Sequence, residues 1–98
     1  MKITWSPLAV ERVIEYSEYI AFDSPTASRR WVDEIFEKVE ILQVSPEIGR
    51  NIAEIKDKKF RELIFANYRI IYHLDKINIS ILTVRLHRQI LPIDELKI

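Results

Sequence analysis

The stretch FRELIFANYRIIYHLDKINISILTVRL, residues 60–86, decides the fold. It holds three runs rich in β-branched and aromatic residues, Phe60–Phe65, Tyr68–Leu74 and Ile77–Leu86, and no glycine or proline interrupts them. Ala66-Asn67 and Asp75-Lys76 separate the runs, and links this short close antiparallel hairpins, not crossovers. The second half of the chain therefore reads as a meander. In the middle run Tyr68, Ile70 and Tyr72 alternate with Arg69, so those three face a helical layer and Arg69 faces outward. In the last run Ile77, Ile79 and Ile81 share one parity and Leu82, Val84 and Leu86 the other. Apolar side chains then stand on both faces of the strand, and something must cover the second face.

Working outward towards the N-terminus, residues 2–5 (Lys-Ile-Thr-Trp) alternate as a short strand. Ser6-Pro7 then starts a helix, with Ser6 as N-cap and Pro7 at the first helical position, where its missing N–H is no loss. Val10, Val13, Ile14, Ser17, Ile20 and Ala21 recur at helical spacing, which predicts a helix over 7–22. Ser24-Pro25 repeats the start signal, and Ala27, Trp31, Val32, Ile35, Phe36, Val39 and Leu42 predict a second helix over 25–44. Pro46 disfavours helix at Ser45 and ends it there. So short a connection makes the two helices an antiparallel hairpin. Residues 45–59 lack a period and contain the only glycine, Gly49, expected at a backbone angle that other residues avoid. The tail from Gln89 to Ile98 reads as a short strand or a loose arm. The fold class is α+β: an N-terminal strand and a helix hairpin packed on a three- to four-stranded antiparallel sheet.

With 98 residues, 48% of them hydrophobic, the chain fits one domain over 1–98. No apolar stretch is long enough to span a membrane and no signal region opens the sequence, so no membrane partner is expected. The absence of cysteine removes disulfides and thiolate metal sites and fits the cytoplasm. His73 and His87 are too few for a zinc site without carboxylates, and there is no glycine-rich phosphate loop, so neither a metal nor a cofactor is expected. The formal charge is zero, yet residues 1–55 carry six Lys/Arg against ten Asp/Glu, and residues 56–98 carry nine against five. The molecule is therefore electrically polar, a weaker match to bare nucleic acid than a uniformly basic domain.

Five pieces in order now point to a family: Trp5-Ser6-Pro7 before a helix; Ser45-Pro46-Glu47-Ile48-Gly49-Arg50 closing the hairpin; Arg61-Glu62-Leu63; Tyr68-Arg69-Ile70-Ile71-Tyr72; and Ile81 through Arg88. Together they make the chain resemble the RelE/ParE toxin superfamily, especially its ParE-like branch, over nearly its whole length. The resemblance implies a type II toxin that causes growth arrest and is neutralised by a cognate antitoxin wrapped around it. ParE-like members inhibit DNA gyrase; RelE-like members cut ribosome-bound mRNA. Relatives of the second kind tend to be markedly basic with a late tyrosine, whereas this chain is neutral and residues 88–98 contain no tyrosine. The leading expectation is therefore a gyrase inhibitor acting by contact. The alternatives are a metal-independent endoribonuclease and a non-toxic relative serving as a scaffold.

Were the chain a ribonuclease, His87 would supply acid–base chemistry near neutrality, and Arg69 and Arg85 would clamp phosphate. Arg85 and His87 share a parity if the strand persists; Arg88 then points away. For binding to a partner or target, the candidates are Arg61, Arg69, Arg85, His87 and Arg88, with Lys58-Lys59 extending the basic surface. Simpler structural roles stand beside these. Arginines are common on solvated sheet faces, Trp5 and Trp31 fit core packing, and Tyr68 and Tyr72 fit a half-buried sheet. Glu11, Glu15, Glu18, Asp33, Glu37 and Glu40 fit a solvated helix surface.

Overall fold

A computed structural model describes residues 1–89 and 91–98 of the chain. The elements run β1 (Lys2–Trp5), α1 (Pro7–Asp23), α2 (Pro25–Glu40), β2 (Arg50–Asn51), β3 (Phe60–Phe65), β4 (Tyr68–Leu74) and β5 (Asn78–Leu86). One 3-10 turn at Ile41–Gln43 extends α2, and another lies at Ile93–Glu95 in the tail. Both helices start as the serine–proline pairs dictate. The Ser6 hydroxyl accepts from the Ala9 amide at 3.0 Å and the Ser24 hydroxyl from the Ala27 amide at 3.1 Å, satisfying donors that the first turn leaves free.

The strands form one five-stranded sheet in the order β1-β5-β4-β3-β2. The meander is antiparallel, with Phe65 opposite Tyr68 and Ile70 opposite Val84. β1 departs from it: the α-helical hairpin carries the chain across, so β1 lies parallel to β5, Ile3 beside Ile79. The two-residue β2, too short for a sequence pattern, adds a fifth strand by pairing Arg50 with Glu62.

The helices pack on one face of the sheet. The core there holds Ala9 and Val13 of α1, Trp31, Ile35 and Val39 of α2, and Leu63, Ile70, Tyr72, Ile79, Ile81 and Val84 of the sheet. The inner stripe of α1 is therefore Ala9, Val13, Tyr16 and Ile20; Val10 and Ile14, read as inner, are 40% and 50% exposed. Trp5 packs against Phe36 at a tilt with centroids 4.9 Å apart, and Trp31 packs on Tyr68 at 5.0 Å, so both tryptophans take core roles.

The expected parity of β5 does not hold throughout. Between Ile71 and Tyr72 the register shifts, so that Ile71 faces Thr83, Tyr72 faces Ile81, and Leu82 is an extra residue. This bulge turns Val84 to the helical side with Ile79 and Ile81, leaving Leu82 on the other face. There Leu82 joins Ile71, Ile52 and Leu91, with Ile55, Phe60 and Leu96 packed against them. The second face is thus covered by the chain's own crossing loop and tail.

Gly49 corrects an expectation as well. No glycine among the described residues has positive φ. Its role is close approach, because a Cβ there would stand 2.6 Å from the Tyr72 ring and 2.9 Å from the Glu62 carbonyl oxygen. The Gly49 amide donates to the Tyr72 hydroxyl at 3.0 Å, and that hydroxyl donates to the Pro46 carbonyl at 2.8 Å.

Candidate functional site

Of the candidate residues, Arg69 and Arg85 meet on the sheet face turned away from the helices. Arg69 on β4 and Arg85 on β5 stand directly opposite each other in the ladder, and like charges so placed repel. Carboxylates resolve the repulsion. Arg69 donates to Glu62 at 2.7 Å and, through both terminal nitrogens, to Glu54 at 3.0 Å. Arg85 donates through Nε to Glu95 at 2.9 Å, and Glu95 also accepts from Arg12 at 2.7 Å and from the Thr83 hydroxyl at 2.8 Å.

Arg69 lies on the expected face but is only 5% exposed, because the crossing loop closes over it. The hydrogen bond from Arg69 lowers the Glu54 pKa, and Glu54 in turn raises that of Arg69. Burial pushes the Glu95 carboxyl up, but hydrogen bonds from Arg12, Thr83 and Arg85 outweigh it, so Glu95 sits below its ordinary value. The bond to Glu95 raises the Arg12 guanidinium.

Arg61 lies on the other face of the sheet, opposite Tyr72 in the ladder, and its guanidinium donates to the Glu47 and Gly49 carbonyls at 3.2 and 2.8 Å. It fastens the crossing loop. The strand ends at Leu86, so His87 and Arg88 lie in an exposed turn just past it. The His87 Nε2 is 3.5 Å from Nη2 of Arg50, whose guanidinium also holds Glu62 at 2.9 Å. Thus Arg69 and Arg85 are neighbours, His87 and Arg88 sit at the strand's end, and Arg61 stands apart. Lys58 and Lys59 are exposed.

Five partners escaped the sequence reading: Arg12, Arg50, Glu54, Glu62 and Glu95. Glu62 alone left a signal, as a carboxylate inside an apolar strand run. Tyr72 is fully buried, and Tyr68 packs edge-on to Tyr16 at 5.0 Å. Burial raises the pKa of both phenols. Among the described residues no group of three His, Cys, Asp or Glu side chains could hold a metal ion. No helix among them is long and apolar enough to cross a membrane.

Comparison with known proteins places this architecture. No curated protein matches the sequence. The fold is similar to that of a solved structure described as the chromosomal ParDE TA system from P. aeruginosa, with a TM-score of 0.73 and 21% identity, covering 88% of this chain and 95% of that one. The family model for the ParE toxin of the type II toxin–antitoxin system parDE matches residues 3–91. With nine-tenths of its length matched, the chain belongs to the ParE toxin family of type II toxin–antitoxin systems.

Proposed function

We propose that the protein arrests growth by binding DNA gyrase, with no chemistry of its own, and that a cognate antitoxin holds it inactive in the cytoplasm. The observation that carries the binding mode is the engagement of its arginines. Cleavage of RNA by the neighbouring 2′-hydroxyl needs cations free to meet a charged phosphorane and a base aimed at that hydroxyl. Arg69 and Arg85 instead each hold carboxylates of the same chain. The His87 ring has an arginine as its neighbour, and among the described residues no carboxylate orients it. The similar structure comes from a ParDE pair, which supports a partner protein here too.

The test is expression from an inducible promoter, with plasmid topology and transcript length read in the same culture. The expected result is growth arrest with relaxed plasmid and intact transcripts, reversed by co-expressing the product of the neighbouring gene. Transcripts cut by the wild type but left intact by His87→Ala would establish the ribonuclease reading instead. No arrest at all would leave a non-toxic scaffold.

A further inference from the structure

We propose that the end of the sheet where β3, β5 and β1 begin is a binding site for the phosphate backbone of duplex DNA, gripped by Lys2, Lys58, Lys59 and Lys76. The site lies apart from the engaged arginines and goes beyond the gyrase reading. Only the choice of DNA as the source of the phosphates rests on that reading, since gyrase works on duplex DNA.

The topology gathers these lysines. Lys58 and Lys59 precede β3, Lys76 sits in the β4–β5 turn, and Lys2 opens β1. The Leu74 amide donates to the Lys59 carbonyl and the Lys2 amide to the Ile77 carbonyl, so the three segments lie side by side. All four lysines are exposed. Lys58, Lys59 and Lys76 line one cleft with Arg61, Glu47, Asp57 and Asp75. Four strand ends in the order β1-β5-β4-β3, about 4.8 Å apart, make a row of about 14 Å. Duplex DNA carries one charge per about 1.7 Å of axis, so a row of that length faces about eight phosphates, about four on each strand.

The charges there are free to act. Among the described residues every ion pair belongs to Arg12, Arg50, Arg69 or Arg85, and none to a lysine. Asp75 accepts from the Ile77 and Asn78 amides at 3.0 and 2.7 Å, and Asp57 from the Lys59 amide at 2.9 Å. Both carboxylates thus hold the turns that present the lysines. Arg61 spends its Nη1 on two carbonyls and adds a fifth positive charge to the cleft wall. Five cations therefore stand against Glu47, Asp57 and Asp75, whereas α1 and α2 expose Glu11, Glu15, Glu18, Glu37 and Glu40. Near a duplex, that division turns the lysine end towards the phosphates. A membrane surface is a poorer match, because binding there draws on a broad apolar face and this end exposes little beyond Met1 and Ile77.

The experiment titrates the purified protein into a short fluorescent DNA duplex and reads anisotropy as salt is raised. With about four phosphates neutralised, the dissociation constant should be about 1 μM at about 20 mM salt and rise about a hundredfold by about 80 mM, a log–log slope of about −3.6. Lys58→Gln combined with Lys59→Gln should flatten the slope by about two units and weaken binding at least about tenfold. Arg30→Gln, which removes an exposed cation of α2, should leave binding within about twofold. No binding at the lowest salt, or binding that the double variant leaves intact, would overturn the site, and gyrase inhibition by the same protein would then keep the earlier reading. Binding with the expected slope by a protein that leaves gyrase fully active would support the site and overturn the gyrase reading instead. Transfer RNA that displaces the protein at lower concentration than unlabelled duplex would assign the lysines to RNA and overturn DNA. Retention on phosphatidylglycerol vesicles without duplex binding would assign them to a membrane surface and overturn it equally.

Discussion

Glu95 is the residue on which the tail depends. One carboxylate serves Arg12, Arg85 and Thr83 while 7% exposed, so its removal leaves two guanidinium groups, each about one-fifth exposed, without their shared partner. Glu95→Ala is expected to lower stability at pH 7 by about 2–3 kcal/mol, measured by urea unfolding. The pH dependence follows from the direction of its shift. Its folded pKa lies below the ordinary 4.5, so its contribution is complete above that value and is lost as pH falls through the folded one. Stability of the wild type should therefore fall steeply below about pH 4.5, and Glu95→Gln should flatten the fall. Glu54, also held low, keeps part of the slope. An unchanged slope in Glu95→Gln would contradict the assigned network. At Gly49, an added Cβ would be forced against the Tyr72 ring and the Glu62 carbonyl. Gly49→Ala is expected to cost about 2–4 kcal/mol, more than the roughly 1–2 kcal/mol for Tyr72→Phe, which loses two hydrogen bonds but keeps the packing.

Among the elements, the β3–β4 hairpin shows both what the sequence disclosed and what it hid. The run Phe60–Phe65, the two-residue turn and Tyr68–Leu74 were all readable, because strand composition and turn length are local properties. What the turn demands of its first residue was not: Ala66 takes φ 51°, a conformation that disfavours a side chain with a Cβ by about 1 kcal/mol. Ala66→Gly should raise the melting temperature, with a net gain of about 0.5 kcal/mol after the greater freedom of the unfolded chain is subtracted; a lower melting temperature would show the turn to be unstrained. The helix starts were legible for the same local reason. The bulge at Leu82 was not, since an extra residue leaves no mark in composition and yet flips every later side chain of β5. The parallel pairing of β1 and the two-residue β2 depend on where distant segments meet.

For the whole molecule, ion pairs tie the acidic half of the chain to the basic half, although only one of the three draws on the excess charge of each. Arg50 to Glu62, Arg69 to Glu54 and Arg12 to Glu95 each join one half to the other. Arg69 and Arg85 were legible as residues but not in their employment, because their carboxylate partners lie from 7 to 15 positions away in sequence. That employment favours a surface that binds over one that cleaves. The most direct measurement is supercoiling of relaxed plasmid by purified gyrase as this protein is titrated in. Inhibition by the wild type, kept within about twofold by His87→Ala and abolished by the antitoxin, is the predicted result. Full gyrase activity in the presence of excess protein, with messenger RNA cut in a translating extract, would contradict it.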